Sequence, residues 1–199
     1  MAQGLTSKGA ATRQRIVDGA AQLMRQRGPE VSLDEIRAAT GTSKSQLFHY
    51  FPEGRAALLV AVARHEAEAI LADQQPHLGG LTSWTAWNAW RNAVLDHYRR
   101  QGRNCPLNVL TGQLAGDNPE VRAVAEDLMD RWQAHLTAGV REMQRQELMS
   151  AMPEAERAGE SILAAVQGGA FTMIATGRLG PLESALDLAL DHLRVRDTA

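Results

Sequence analysis

The sequence predicts an all-α fold of about nine helices, with an N-terminal three-helix helix-turn-helix domain followed by a larger helical domain. Three observations carry this prediction. Apolar residues recur at i, i+3, i+4 and i+7 through most of the chain, and proline and glycine interrupt that pattern at spacings that suit helices. Two capping-box patterns, Ser32-Leu33-Asp34-Glu35 and Ser43-Lys44-Ser45-Gln46, also lie close together near the N-terminus. No strand-like alternation, internal repeat or low-complexity linker stands against this reading.

The first helix is expected from about Thr12 to Arg27, with Ile16, Ala20, Leu23 and Met24 on one face, and Gly28-Pro29 ends it. Ser32 opens a short second helix whose Leu33, Ile36 and Ala39 turn inward, and Gly41 stops it with a residue that tolerates positive φ. Ser43 opens a third, with Leu47 and Phe51 on its buried side. Two short helices around a glycine turn, braced by an amphipathic helix, form a helix-turn-helix pattern, and the small Ala38 and Ala39 beside Gly41 permit its close crossing.

After Pro52 an alanine-rich helix is expected from about Arg55 to Gln75, broken by Pro76 and Gly79-Gly80. Ser83 caps a helix bearing Trp84, Trp87, Trp90, Val94 and Tyr98 that ends near Gly102. A shorter helix is expected from Cys105-Pro106 to about Ala115. Asn118-Pro119, a cap with proline at the first helical position, opens a long helix to about Gln146. The last two span about Pro153 to Thr176 and Pro181 to Arg194.

Composition bounds the function. The 199 residues are 44% hydrophobic and 22% charged, ordinary globular usage that can build a core. A single cysteine, Cys105, excludes an internal disulfide framework and a multi-cysteine zinc site, so a cytoplasmic location is expected. No apolar run approaches the roughly 18 to 20 residues of a membrane helix, and Met1 to Ala11 lacks the apolar stretch of a signal peptide; neither membrane association nor secretion is expected. The net charge of −2 is unevenly divided: Met1 to Arg64 holds nine Lys and Arg against five acids, leaving +4 there and −6 beyond. That asymmetry suits a chain whose first third meets phosphates.

Thr12 to Val62, TRQRIVDGAAQLMRQRGPEVSLDEIRAATGTSKSQLFHYFPEGRAALLVAV, resembles the DNA-binding domain of the TetR family of bacterial regulators. The family's amphipathic first helix, its T/S-h-x-x-I-A-x-x-A-G-V-S second helix and turn, and its L-Y-x-Y/H-F recognition helix are matched almost throughout. The resemblance implies that Lys44, Ser45 and Gln46, in the first turn of the recognition helix, reach base edges in the major groove of double-stranded operator DNA. It implies phosphate contacts by His49, Tyr50, Thr42 and Ser43, the last two through hydroxyls or amides. Phe48 stands where the family usually has tyrosine, keeping apolar contact with a thymine methyl and losing a hydroxyl. Gly54 stands where it usually has lysine, and Arg55 is the expected substitute. Leu33, Leu47 and Phe51 are core by both resemblance and periodicity.

By the same resemblance, residues 1–54 form the DNA-binding domain and 55–199 a ligand-binding and dimerisation domain. The segment from Cys105 is similar to family members that sense hydrophobic drugs or electrophiles and often carry a Gly-Cys-x-x-G-like start, where this chain has Asn104-Cys105-Pro106-Leu107-Asn108. Trp84, Trp87 and Trp90, spread over much of one helix, either pack as core or, with Met129, Trp132 and Phe171, wall an apolar effector pocket. Cys105 at a helix start is either a small buried hydrophobe or a thiolate-prone sensor of oxidants and electrophiles. The last two helices are expected to pair with their counterparts in a homodimer, with Gly168-Gly169 allowing close approach there, and two recognition helices then read a near-palindrome. The expected protein is a repressor released by a small hydrophobic effector; a TetR-like activator and a redox-sensing regulator using Cys105 are the alternatives. Catalysis is not expected, because His49, His65, His77, His97, His135 and His192 are scattered without metal spacing and no phosphate loop or nucleophile elbow is present. No cofactor or metal is expected.

Overall fold

The computed structural model describes residues 6–28, 30–102 and 118–195. Among them the regular elements are eight helices: α1 (Ser7–Arg27), α2 (Leu33–Thr40), α3 (Lys44–Tyr50), α4 (Arg55–Ala72), α5 (Trp84–Gln101), α6 (Pro119–Arg145), α7 (Ala155–Thr176) and α8 (Gly180–His192). An isolated antiparallel bridge joins Met149 and Arg194. The fold is all-helical, as the periodicity predicts. The short helix expected from Cys105 lies outside the described residues.

The chain divides into two compact units, the first reaching to Ala69 and taking in the segment that ends at Glu126, the second resuming at Ile70 and again at Asp127. In the first unit, α1 begins five residues before the expected start, because Thr6 caps it by accepting the Gly9 N–H at 3.2 Å. That cap stands ahead of small polar residues on which hydrophobic periodicity is silent. Ile16, Val17, Ala20 and Met24 of α1 pack with Val31, Ile36, Phe51, Leu58 and Val62 in one buried cluster. The close α1–α2 crossing is made differently from the sequence expectation. Ala38 and Ala39 are both exposed, and it is Gly19 of α1 that admits α2, since a Cβ there would stand 2.3 Å from Thr40 Cγ2.

In the second unit Trp87, Trp90, Trp132, Leu136, Val140, Ile162, Val166, Leu186 and Leu190 are buried. Helices α7 and α8 pack against each other within the chain, and Gly169 permits it: a Cβ there would lie 2.6 Å from the Leu182 Cα. This close approach is thus made inside the subunit, whereas nothing lies within 4 Å of a Cβ built on Gly168. Arg91 of α5 reaches α8 in a forked pair, Nε to Asp187 Oδ1 at 2.7 Å and Nη2 to Glu183 Oε1 at 3.1 Å.

Candidate nucleic-acid interface and buried cavity

Both capping boxes are formed, and together they fix the helix-turn-helix. Ser32 Oγ accepts the Glu35 N–H at 3.3 Å, while the Ser32 N–H donates to Glu35 Oε2 at 2.8 Å. The Ser32 N–H and the Ser32 hydroxyl, 2.7 Å from the same oxygen, both donate to the Glu35 carboxylate and hold it below its ordinary pKa, the backbone donor contributing most. Gly41 then turns the chain at φ 59° and ψ 36°, a left-handed conformation in which a side chain would be strained. At α3 the arrangement repeats: Ser43 Oγ accepts the Gln46 N–H and the Ser43 N–H donates to Gln46 Oε1, both at 3.1 Å. Leu47, fully buried, seats the helix.

Lys44, Ser45, Gln46, Phe48 and His49 are exposed, and their spacing puts them on a continuous arc of α3 opposite Leu47. The capping box commits the Gln46 carbonyl oxygen internally, so the amide turns two N–H donors outward. Tyr50 is half-buried against the core and meets His49 edge-on at 4.9 Å. Ser43 caps the helix and lies 3.1 Å from the Ser45 hydroxyl.

Two sequence-expected contact residues have side chains engaged internally. Thr42 is buried, its hydroxyl 2.8 Å from that of Thr40, which in turn lies 2.7 Å from the Ile36 carbonyl. Arg55 donates to the Val31 carbonyl and so braces the connection ahead of α2. The two family departures are neighbours: at Gly54, with φ 64°, a Cβ would come within 3.3 Å of the Phe48 ring.

The tryptophans separate into distinct environments. Trp84 is half-buried, its indole N–H bonded to the Leu148 carbonyl at 3.0 Å and its ring under the Arg194 guanidinium at 4.0 Å. Trp87 and Trp90 are buried edge to face at 5.6 Å, and Trp90 donates to Gln74 Oε1 at 2.8 Å. Trp132 lines a small cavity with Ile70, Gln74, Val94, His97 and Tyr98, with room of about 10 Å³. Met129 is half-buried, and Phe171, expected as a pocket wall, is instead 72% exposed on α7. Cys105 lies outside the described residues.

Gln74 and His97 are not among the site residues expected from the sequence, whereas Trp132 is. One signal was present: Trp90, Val94, His97 and Tyr98 follow i, i+4, i+7, i+8 on α5. His97 Nδ1 lies 3.0 Å from Asp73 Oδ2, and burial pushes the imidazole pKa down against the opposing pull of Asp73. Among the described residues no helix is long and apolar enough to cross a membrane.

The exposed arc of α3 on its self-capped turn defines the class, a helix-turn-helix transcriptional regulator, and comparison with known proteins gives the family. Residues 16–62 match the model for bacterial regulatory proteins of the tetR family, and residues 85–187 match that for the C-terminal domain of LmrA/YxaF-like transcriptional regulators. An uncharacterised HTH-type transcriptional regulator of Mycobacterium tuberculosis is 30% identical over 139 residues, covering 63% of this chain and 67% of its own. Among solved structures, a TetR-family regulator from Cytophaga hutchinsonii superposes with a TM-score of 0.83 at 17% identity, covering 98% of this chain and all of its own. A regulator from Saccharomonospora viridis, solved in complex with choline, gives 0.76 at 20% identity, with 94% and 100% covered. The chain belongs to the TetR family of bacterial transcriptional regulators, whose members bind DNA and usually act as dimers.

Proposed function

We propose that this regulator is a repressor that binds a near-palindromic operator as a homodimer and leaves it when a small, largely apolar effector binds. Residues 1–54 carry the DNA contacts and 55–199 the effector site and dimer surface. The observation that carries the reading is the exposed first turn of α3, rigid at its start and populated by Lys44, Ser45 and Gln46. Lys44 and the outward Gln46 amide donate to base-edge acceptors, Phe48 meets a thymine methyl, and Ser43, His49 and Tyr50 meet phosphates. Thr42 and Arg55 act on the DNA indirectly, by holding the turn and the entry to α2.

Phe171 and Leu188, 72% and 73% exposed on α7 and α8, are the apolar side chains a dimer would cover. In the test, a mobility shift on the palindrome nearest the chain's own gene is repeated across salt. A protein neutralising some 6 to 10 phosphates loses on the order of 10³ to 10⁵ in affinity between 50 and 200 mM. Affinity indifferent to salt, or to Lys44→Ala with Gln46→Ala, would refute the DNA reading. Phe171→Glu with Leu188→Glu should give a monomer by light scattering with helicity kept; an unchanged dimer removes that surface.

A further inference from the structure

We infer that the cavity lined by Trp132 and His97 is the recognition point of the effector site, and that it selects an uncharged apolar molecule carrying a hydroxyl group. This rests on the reading of the protein as a ligand-responsive regulator. All six lining residues belong to the second unit: Ile70, Gln74, Val94, His97, Tyr98 and Trp132.

Trp132 is 1% exposed, and its buried indole N–H has no protein acceptor among the described residues. Burying a donor without a partner is unfavourable, so the site is one that an incoming acceptor would improve. The contrast within the same unit is informative. The Trp90 N–H is satisfied by Gln74 at 2.8 Å and the Trp84 N–H by Leu148 at 3.0 Å. The Trp87 N–H is also buried without a partner, but Trp87 does not line the cavity.

His97 supplies the complementary group. Its Nδ1 faces Asp73 at 3.0 Å, which places the ring proton there and leaves Nε2 as an acceptor while the imidazole is neutral. Burial favours that neutral form. The space of about 10 Å³ suits one water-sized group. An effector's hydroxyl, like the water whose place it would take, accepts from an indole N–H and donates to an imidazole nitrogen at once. Gln74 has both ends of its amide engaged, with Trp90 and with the Ile70 carbonyl at 3.1 Å. Beyond His97, the lining offers no ionisable partner at neutral pH, and Ile70 and Val94 are apolar, so a charged ligand would be desolvated without compensation.

Three probes of matched shape separate the possibilities in the full-length protein: 4-ethylphenol, 4-ethylanisole, which accepts but cannot donate, and ethylbenzene, which does neither. By calorimetry 4-ethylphenol should bind about tenfold more tightly than ethylbenzene, with 4-ethylanisole between them. In protein labelled with 5-fluorotryptophan, the Trp132 resonance should move with 4-ethylphenol and stay with ethylbenzene. Trp132→Phe and His97→Leu should each bring the preference within about twofold, and the fluorine measurement on otherwise unmodified protein stands if either variant fails to fold. Equal binding of the three probes, no binding of 4-ethylphenol, an unmoved Trp132 resonance, or a preference that survives Trp132→Phe each overturns the inference. Salt-dependent operator binding is read separately: if it holds while the probes show no preference, the regulator reading stands and this one falls.

Discussion

Gly19→Ala is expected to destabilise the protein although alanine is the better helix former, and Thr40→Ser is expected to reverse the loss. In a helix interior the substitution alone gains about 0.8 to 1 kcal/mol. Here the new methyl would stand 2.3 Å from Thr40 Cγ2, so one of the two must retreat by more than an ångström. Thr40 cannot turn away freely, because its hydroxyl is 2.7 Å from the Ile36 carbonyl and 2.8 Å from the Thr42 hydroxyl. Overpacking of this kind costs about 1 to 3 kcal/mol, and loss of the buried hydrogen bond about 1 more. The net expectation is a loss of about 1 to 3 kcal/mol. Serine at position 40 removes the clashing methyl and keeps the hydroxyl, and the next contact, Thr40 Cβ at 3.7 Å, is ordinary packing. The pair should therefore couple favourably by about 2 kcal/mol in a double-mutant cycle measured by urea unfolding. Operator affinity should fall and recover in parallel, since α2 and the turn after it set the place of α3. A Gly19→Ala protein at least as stable as the wild type, or strictly additive effects, would refute this account of the helix crossing.

Further perturbations test other parts of the structure. Ser43→Ala removes the cap of the recognition helix and should lower stability by about 1 kcal/mol with an unchanged urea m-value, and weaken operator binding in the mobility shift. Gly169→Ala drives a methyl to 2.6 Å from the Leu182 Cα, a backbone atom that no side-chain trimming relieves, so it should cost about 3 kcal/mol, whereas the unobstructed Gly168→Ala should gain up to about 1 in the same unfolding assay. Glu66 is buried beside Arg25, and burial raises its pKa above 4.5 more than Arg25 lowers it. The folded state then holds this proton more tightly than the unfolded one, so the group's contribution is full below pH 4.5 and is lost as pH rises through the raised value. Glu66→Gln should remove that decline, and Arg25→Ala, which strands the carboxylate, should cost about 3 kcal/mol near neutral pH; parallel pH profiles for wild type and Glu66→Gln would refute the first.

What could be read from the sequence was what lies within a few residues of its own cause. Ser32 with Glu35 and Ser43 with Gln46 form their capping boxes from side chains three residues apart, and Gly41 ends α2 by its own backbone freedom. The α3 arc was legible for the same reason, because exposure on a short helix follows from the single anchor Leu47. The cavity was not. Its walls come from α4, the turn after it, α5 and α6, and nothing in the spacing of Trp84, Trp87 and Trp90 says that one is pinned by Leu148, one packs as core and one binds Gln74. Phe171 shows the same limit: periodicity assigns a helical residue to a face but does not say what covers that face.

The sequence by itself therefore determined most of the helices and the two capping boxes of the helix-turn-helix, because hydrogen bonds at i and i+3 and hydrophobic periods of 3.6 are local, while the contact roles on α3 came from the resemblance alone. Only the tertiary structure decided that Gly19 rather than Ala39 admits α2, that Gly169 serves packing within the subunit, and that an orphan indole and a tethered histidine share one cavity. Those outcomes depend on distances between side chains far apart in the chain, and such distances are set by how whole helices pack.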